Sequence, residues 1–161
     1  EFWDYEDYFM HLEDDIQIER MTALIRKFNP YHIITHGEMD LLNPDHDAVN
    51  RFVFKASVLA ISNGVKIDET NTSKQTRIFG FEPHQPEICN FKPEVIIDIS
   101  ETMDIKKEAM QCFKAQSHLI EYYTVRASIR GNHAVRLSGN KSYKFAEAFS
   151  RRFPYVGDWL I

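Results

Sequence analysis

The segment 14–61 combines a helix-like pattern with a short strand-like run, and this combination restricts the fold that the chain can adopt. Asp14 and Asp15 precede apolar residues that recur at helix spacing up to Pro30, so the sequence predicts a helix there. The next stretch, 31–35, is short, apolar and β-branched, as is typical of a buried strand. A helix followed directly by a buried strand indicates an α/β protein.

Residues 43–64 carry the signals of a second helix. Asn43 is a residue type that caps helix N-termini, and Pro44 suits the first helical position. Apolar residues at helix spacing follow, and Gly64 is the predicted end of the helix. Because helix, strand, loop and helix follow one another, the sequence predicts an α/β fold with parallel strands.

The second half of the chain continues with strand-like and then helix-like patterns. Two more strands are predicted at 78–81 and 95–99, separated by a loop that two prolines keep irregular. A long helix is predicted for 104–129, interrupted near Ser117 and ended by Gly131.

The last part of the chain is predicted from weaker patterns. Residues 132–144 are expected to be irregular or hairpin-like, and 145–153 to form a last short helix. Neither internal repeats nor low-complexity stretches are present.

The composition excludes several classes of protein. A chain of 161 residues with 43% hydrophobic residues suits one domain with a single core. The sequence lacks an apolar run of the length, about eighteen residues, that a membrane span needs, so no membrane partner is expected. The net charge of −5 argues against nucleic acid as a partner. Cys89 and Cys112 lack metal-ligand or disulfide spacing and are expected to be buried free thiols in a reducing cytoplasm.

Charge is distributed unevenly along the chain. Acidic residues dominate 1–50, whereas the segment from Arg126 onward is mainly basic. Such asymmetry is found around basic pockets for anionic ligands, and also on ordinary solvated surfaces. The charge pattern therefore leaves both interpretations open.

Two histidines follow the predicted strand 31–35 closely. In an α/β sheet, ligands bind beyond the carboxyl ends of the strands, so His36 and His46 are expected at that rim. His46 falls in the first turn of the next helix, where a neutral imidazole suits zinc, although a capping or structural role is the alternative. Catalytic zinc normally needs three protein ligands and a water, so one histidine does not define a site.

Several separated motifs, in the correct order, resemble the PIG-L/LmbE family of zinc-dependent enzymes. The family's second zinc motif, H-x-D-H, is resembled by Thr35-His36-Gly37 followed by Asn43-Pro44-Asp45-His46. The strand, helix and glutamine that come next in the family resemble 95–100, 104–109 and Gln116, and its closing AEAF segment resembles 144–149.

The resemblance implies a Rossmann-like three-layer α/β fold with a mostly parallel sheet, in which residues 1–161 are the carboxy-terminal part of a single catalytic domain. The family's first motif, HPDD, is absent, and the chain begins without Met or a signal-like segment, so the first strands are expected to be missing. Zinc is the implied cofactor, with His46 as one ligand and the others expected in the missing amino-terminal segment. The 161-residue chain by itself is therefore predicted to bind zinc poorly and to be inactive.

Within the family, the chain resembles the 4-oxalomesaconate hydratases. Asn43 stands where the deacetylases have the first histidine of H-x-D-H, and the stretches 81–87, 90–93, 121–123, 126–130 and 136–139 are similar to those of the hydratases. The resemblance implies a zinc-dependent enzyme that adds water to a keto or enol tricarboxylate during degradation of aromatic compounds in a bacterial cytoplasm. The alternative is a zinc-dependent N-acetylglucosaminyl deacetylase on the same fold.

Each candidate residue has a role in the hydratase interpretation. His46 is the expected zinc ligand, and the neighbouring Asp45 is a catalytic candidate. Glu82 and His84, on the proline-stiffened loop, are candidates for substrate contact or proton transfer, and a loop held by its own hydrogen bonds is the alternative. The expected partner is a small anionic carboxylate substrate, bound by polar and cationic side chains. These are Asn43, Gln116, Arg126, Arg130 and Arg136, and for any single arginine a surface role is the alternative.

A third interpretation assigns no catalysis to the chain. Aromatic residues near its two ends would then pack between subunits of a homo-oligomer or against another protein, whereas core or edge packing is the competing explanation. The residues concerned are Phe2, Trp3, Tyr5, Tyr8, Phe9, Phe153, Tyr155 and Trp159.

Overall fold

The computed structural model describes residues 1–8, 14–67 and 70–158, and the chain forms two compact units. The first unit comprises Glu1–Lys92 and Ser150–Ile161, and the second comprises Pro93–Phe149. The elements are, in chain order, α1 (Asp15–Phe28), β1 (His32–Thr35), α2 (Pro44–Ile61), β2 (Arg77–Phe81), β3 (Val95–Asp98), α3 (Met103–Gln111), a 3₁₀ turn (Lys114–Gln116), α4 (Leu119–Ser138) and β4 (Ala146–Arg151). Among the helices of the described residues, none has the length and apolar character needed to cross a bilayer.

Helix α1 begins and ends as the sequence predicts. The Asp14 carboxylate accepts a hydrogen bond from the Gln17 N–H at 3.0 Å, and Asn29, with φ of 42°, ends the helix before Pro30. The buried face of α1 packs on α2, and burial of each large apolar side chain there stabilises the fold by roughly 1.5–3 kcal/mol. The side chains at this interface are Ile18, Met21, Ile25, Phe52, Val53, Ala56 and Ala60.

Strands β1 and β2 are parallel, which confirms the predicted helix–strand order. Their register pairs His32 with Arg77 and Thr35 with Gly80. Ile33 of β1 packs against the α1–α2 layer, so one face of β1 is covered by helices. The carboxyl ends of these two strands therefore lie side by side.

Strand β4 corrects the prediction of a last helix at 145–153. Ala146 and Ala148 are buried and alternate with half-buried residues, which is the period of a strand, and β4 pairs with β3 in antiparallel register from Val95↔Phe149 to Asp98↔Ala146. The helix propensity of Ala and Glu is weak compared with a full ladder of strand hydrogen bonds. The protein is thus a mixed α/β structure with both parallel and antiparallel strand pairs.

Helix α4 corrects a second prediction, because Gly131 does not end it. The helix continues to Ser138, and Gly139, with φ of 76°, is its cap. Gly131 is buried, and a Cβ added to it would lie 2.3 Å from the Lys144 carbonyl oxygen. The glycine therefore permits close approach of the chain around residue 144, and the predicted irregular segment 132–144 begins only after Ser138.

The end of α2 also differs slightly from the prediction. The helix ends at Ile61 with Ser62 as its cap, before Gly64. The Arg26 guanidinium, on a side chain only 7% exposed, donates to main-chain oxygens around this end at 3.0–3.1 Å. Because α1 supplies these donors, the helix does not need a glycine to satisfy its last carbonyl groups.

The predictions for the burial of the two cysteines and for the packing of the terminal aromatic residues are confirmed only in part. Both thiols are free, but only Cys89 is buried, and Cys112 is exposed at the end of α3, whose only buried residue is Met103. Trp3 packs edge-on against Phe52, with 5.8 Å between ring centroids, which supports core packing for this residue. Phe9 and Trp159 lie outside the described residues.

Candidate functional site

The loop from β1 to α2 places the predicted zinc ligand. Asn43 caps α2 through its side-chain oxygen, which accepts a hydrogen bond from the Asp45 N–H at 3.0 Å, and Pro44 occupies the first turn. His46 therefore lies in the first turn of α2, as the sequence predicts. Its position follows from local cap geometry at the carboxyl end of β1.

The imidazole of His46 is bound to a buried carboxylate. Its Nδ1 lies 2.8 Å from Oδ2 of Asp40, whose side chain is 8% exposed, whereas that of His46 is 34% exposed. Burial raises the pKa of Asp40, but hydrogen bonds from His46 and from the Leu42 N–H outweigh it, so this pKa lies below its usual range. An ionised carboxylate only accepts hydrogen bonds, so Nδ1 of His46 is the donor in this contact, and in the neutral form of the ring the lone pair lies on Nε2.

Asp40 joins three segments of the first unit. Its Oδ1 accepts from the Leu42 N–H at 3.0 Å, and the Cys89 thiol lies 4.0 Å from the same oxygen. The Asp40 N–H in turn donates to Oδ1 of Asp47 on α2 at 2.6 Å. Sequence reasoning missed Asp40, since its only signal is that it lies in the same strand-to-helix loop as His46.

His36 lies flat against His46. The two ring centroids are 3.9 Å apart with an interplanar angle of 16°, and the Phe81 ring contacts His36 with 4.6 Å between centroids. Burial, and then the neighbouring His46, lower the pKa of His36 to about 4, so its ring is neutral at pH 7. The sequence placed His36 at this rim but assigned it no role.

Among the described residues, His46 is suited to serve as one ligand of a zinc ion. A histidine with a carboxylate on one ring nitrogen and a lone pair on the other is a common arrangement around protein-bound metals. Within 1–8, 14–67 and 70–158, however, no three His, Cys, Asp or Glu side chains are placed to hold one metal ion. Since catalytic zinc takes about three protein ligands, His46 supplies at most one part of such a site.

Asp45, the predicted catalytic neighbour of His46, is buried and occupied. Its side chain accepts a hydrogen bond from the Tyr8 N–H at 2.6 Å, and the residue is 7% exposed. This contact ties the segment 1–8 to the first turn of α2. A catalytic role for Asp45 stays a prediction.

Glu82 and His84 lie in the loop that follows β2, and both are half-buried. The same loop carries Cys89, whose thiol contacts Asp40, so the loop borders the His46–Asp40 pair. Both residues also have interaction partners within the protein. Their predicted roles in substrate contact or proton transfer are not tested by this geometry.

Four other predicted residues belong to the second unit. Gln116 is exposed in the 3₁₀ turn, and Arg126 of α4 donates to the Tyr122 hydroxyl at 2.7 Å. Arg130 is 8% exposed and lies 3.2 Å from Nδ1 of His133, whereas Arg136 is exposed. Arg136 is about 120° around the helix from Arg130, so the three arginines do not share one narrow face.

Sequence comparison finds one relative that is similar over almost the whole chain. The chain is 35% identical to 4-oxalmesaconate hydratase of Pseudomonas putida KT2440 over 163 residues, which cover 99% of this chain and 62% of that protein. The chain thus spans less than two thirds of the length of this relative. A search against profiles of known protein families finds no match.

Several proteins of known structure have the same fold as this chain. GalB, the 4-carboxy-2-hydroxymuconate hydratase of Pseudomonas putida KT2440, has a TM-score of 0.84 at 32% identity, covering 92% of this chain and 62% of its own. The conserved protein TT1542 of Thermus thermophilus has a TM-score of 0.68 at 20% identity, covering 92% of this chain and 65% of its own. The N,N'-diacetylchitobiose deacetylase of Pyrococcus horikoshii has a TM-score of 0.66 at 16% identity, covering 91% and 54%. The chain therefore has the α/β fold found in these proteins, and it is similar in sequence to a hydratase.

Proposed function

We propose that this chain is part of a zinc-dependent hydratase of the PIG-L/LmbE family, which adds water to a carbon–carbon double bond of a 4-oxalomesaconate-type tricarboxylate. The observation that carries the proposal is the 35% identity to 4-oxalmesaconate hydratase over 99% of the chain. The similarity to the GalB hydratase, with a TM-score of 0.84, agrees with it at the level of structure.

The local geometry of the first unit is consistent with this function. His46 is the proposed zinc ligand, through Nε2, and Asp40 keeps the proton on Nδ1. Zinc bound there would supply Lewis-acid polarisation of a substrate oxygen or of a bound water. The described residues place no cluster of three ligands around His46, so the remaining ligands are proposed to come from elsewhere in the full-length protein.

Asn43 favours hydration over deacetylation. Its side-chain oxygen caps α2, so the NH₂ group is the part of the side chain that is proposed to donate to the substrate. An amide donates hydrogen bonds but cannot become a cation at neutral pH, unlike the histidine that the deacetylases have at this position. Asn43 is therefore proposed to bind a substrate oxygen rather than to stabilise an oxyanion as an imidazolium.

The proposed substrate is a small molecule with several carboxylates, and the proposed compartment is the cytoplasm. Guanidinium groups bind carboxylates in two-point geometry, and amides donate single hydrogen bonds to them. The proposed substrate contacts are Gln116, Arg126, Arg130 and Arg136. The deacetylase alternative rests on 16% identity at a TM-score of 0.66, which shows a common fold and not a common reaction.

Two assays on the full-length protein that contains this chain separate the alternatives. Hydration is followed as the loss of ultraviolet absorbance when the conjugated substrate becomes saturated at one double bond. Deacetylation is followed as acetate released from N,N'-diacetylchitobiose. We expect hydration without acetate release, and acetate release without hydration would contradict the proposal.

His46→Ala in the same protein is expected to remove bound zinc and hydration together. Loss of a residue beyond the ligands already lowers metal affinity or activity by about 10–100-fold, so loss of a ligand should exceed about a hundredfold. Zinc content is measured by elemental analysis and activity by the absorbance assay. His118→Ala is the matched control, because His118 is an exposed histidine in the second unit, remote in sequence from His36, Asp40 and His46. Full zinc content in His46→Ala would show that His46 is not a ligand.

Asp40→Asn is expected to weaken zinc binding by about 10–100-fold while the protein stays folded. The amide lacks the negative charge that holds the proton on Nδ1 of His46, and its NH₂ group competes for that position. Zinc affinity is measured by competition with a chelator. Asp104→Asn is the control, because the Asp104 side chain is 94% exposed. An affinity equal to that of the control would mean that Asp40 does not act on the ligand.

A further inference from the structure

The stacked ring of His36 points to a role that the proposed function does not include. We infer that His36 is a positioning residue: its ring holds the His46 imidazole in the orientation set by Asp40, so that Nε2 stays available to the metal. The effect on zinc binding rests on the proposed function, whereas the stacking of His36 on His46 is present in the structure.

A single hydrogen bond does not fix the orientation of an imidazole. The contact between Nδ1 of His46 and Asp40 restrains one edge of the ring, and the ring plane remains able to tilt about that contact. The face of His36, 3.9 Å away and within 16° of parallel, blocks this tilt. The ring of His46 is thus restrained at one edge by Asp40 and on one face by His36.

His36 is suited to this role because its own position is fixed. The Asn50 side chain, on α2 and 6% exposed, donates to the His36 carbonyl oxygen at 2.8 Å. The Phe81 ring, at the end of β2, also packs against the His36 ring. Helix α2 and strand β2 therefore hold His36 from two sides.

Gly80 allows the backbone beside His36 to lie against β2. A Cβ at this position would lie 3.0 Å from the Gly37 Cα and 3.2 Å from the His36 carbonyl oxygen. Both distances are shorter than ordinary contacts, and both involve main-chain atoms that have little freedom to move. The position of His36 is therefore determined by close packing of its backbone against Gly80 of β2.

The positioning role requires the aromatic face of His36 and not its nitrogens. His36→Phe keeps a flat ring of similar size, whereas His36→Ala removes the contact. In the full-length protein, we expect His36→Ala to weaken zinc binding by about threefold to tenfold, the range of one aromatic contact, and His36→Phe to restore it to within about twofold of the unchanged protein. Zinc affinity is measured by chelator competition. Equal affinity in His36→Ala, or equal losses in both variants, would overturn the inference.

A second readout needs no metal. In zinc-free protein with ¹³C-labelled histidine, nuclear magnetic resonance relaxation reports how freely the His46 ring moves. We expect a rigid ring in the unchanged protein and in His36→Phe, and a more mobile ring in His36→Ala, because one face of the ring then lacks its stacked neighbour. An equally rigid ring in His36→Ala would contradict the inference, whatever the thermal stability of that variant. If the unchanged protein binds no zinc, the proposed function fails, and the relaxation comparison still decides the role of His36.

Discussion

Gly131→Ala is expected to destabilise the protein by about 3 kcal/mol or more, the upper range for overpacking a rigid interior. The added Cβ would lie 2.3 Å from the Lys144 carbonyl oxygen and 2.9 Å from the Phe145 nitrogen. Both atoms belong to the main chain immediately before β4, so neither can rotate away as a side chain would. Alanine favours a helix over glycine by about 1 kcal/mol, which is too little to offset this overlap.

Gly64→Ala is the matched control for this substitution. Among the described residues, no atom lies within 4 Å of the position that a Cβ would take at Gly64. The control should therefore be neutral or stabilising by up to about 1 kcal/mol, because alanine restricts the unfolded chain. Both variants are compared by thermal and urea-induced unfolding, and a Gly131→Ala protein as stable as the control would contradict the close packing of α4.

Arg26→Met is expected to destabilise the protein by about 3–5 kcal/mol, because it removes a buried guanidinium that donates several charge-assisted hydrogen bonds. Arg26 is 7% exposed, and its guanidinium donates to the carbonyl oxygens of Leu59, Ala60, Ser62 and Val65. Methionine preserves most of the aliphatic stem but leaves these acceptors without their donor. Each unsatisfied buried acceptor costs about 1–3 kcal/mol.

The melting temperature of Arg26→Met should fall by roughly 6–20 °C, at about 2–4 °C per kcal/mol for a protein of this size. Lys27→Met is the control, because it removes a positive charge from the adjacent, exposed position on α1. Its effect should stay within about 0.5 kcal/mol. If both substitutions lower the melting temperature equally, the loss of charge and not the loss of the hydrogen bonds explains the change.

These contacts matter for the candidate site because α2 carries His46. Asn43 satisfies the amino end of α2 and Arg26 the carboxyl end, so both ends of the helix are held by side chains. The Asp40–His46 contact then adds a restraint within the first turn. The orientation of the proposed zinc ligand depends on a helix that is fixed at each end.

Much of the first unit could be predicted because its signals are local. Asp14 and Asn43 act on N–H groups two or three residues away, and the apolar spacing of α1 and α2 repeats every few residues. The position of His46 follows from such a signal, since a capped helix begins just before it. The resemblance to the hydratases likewise depends on short motifs in order, and the similarity to 4-oxalmesaconate hydratase supports it.

The remaining features depend on residues that are distant in sequence. Ala146 and Ala148 form a strand because β3 lies beside them, and Gly131 lies within a helix because residue 144 packs against it. Asp40 and His36 are close to His46 in sequence, but their contacts with its ring depend on the path of the irregular β1–α2 loop, which no periodic pattern predicts. Local hydrogen bonds and periodicity therefore determined where the helices of the first unit begin and end. Tertiary packing determined which side chains meet, because those contacts are stabilised only after distant segments have been brought together.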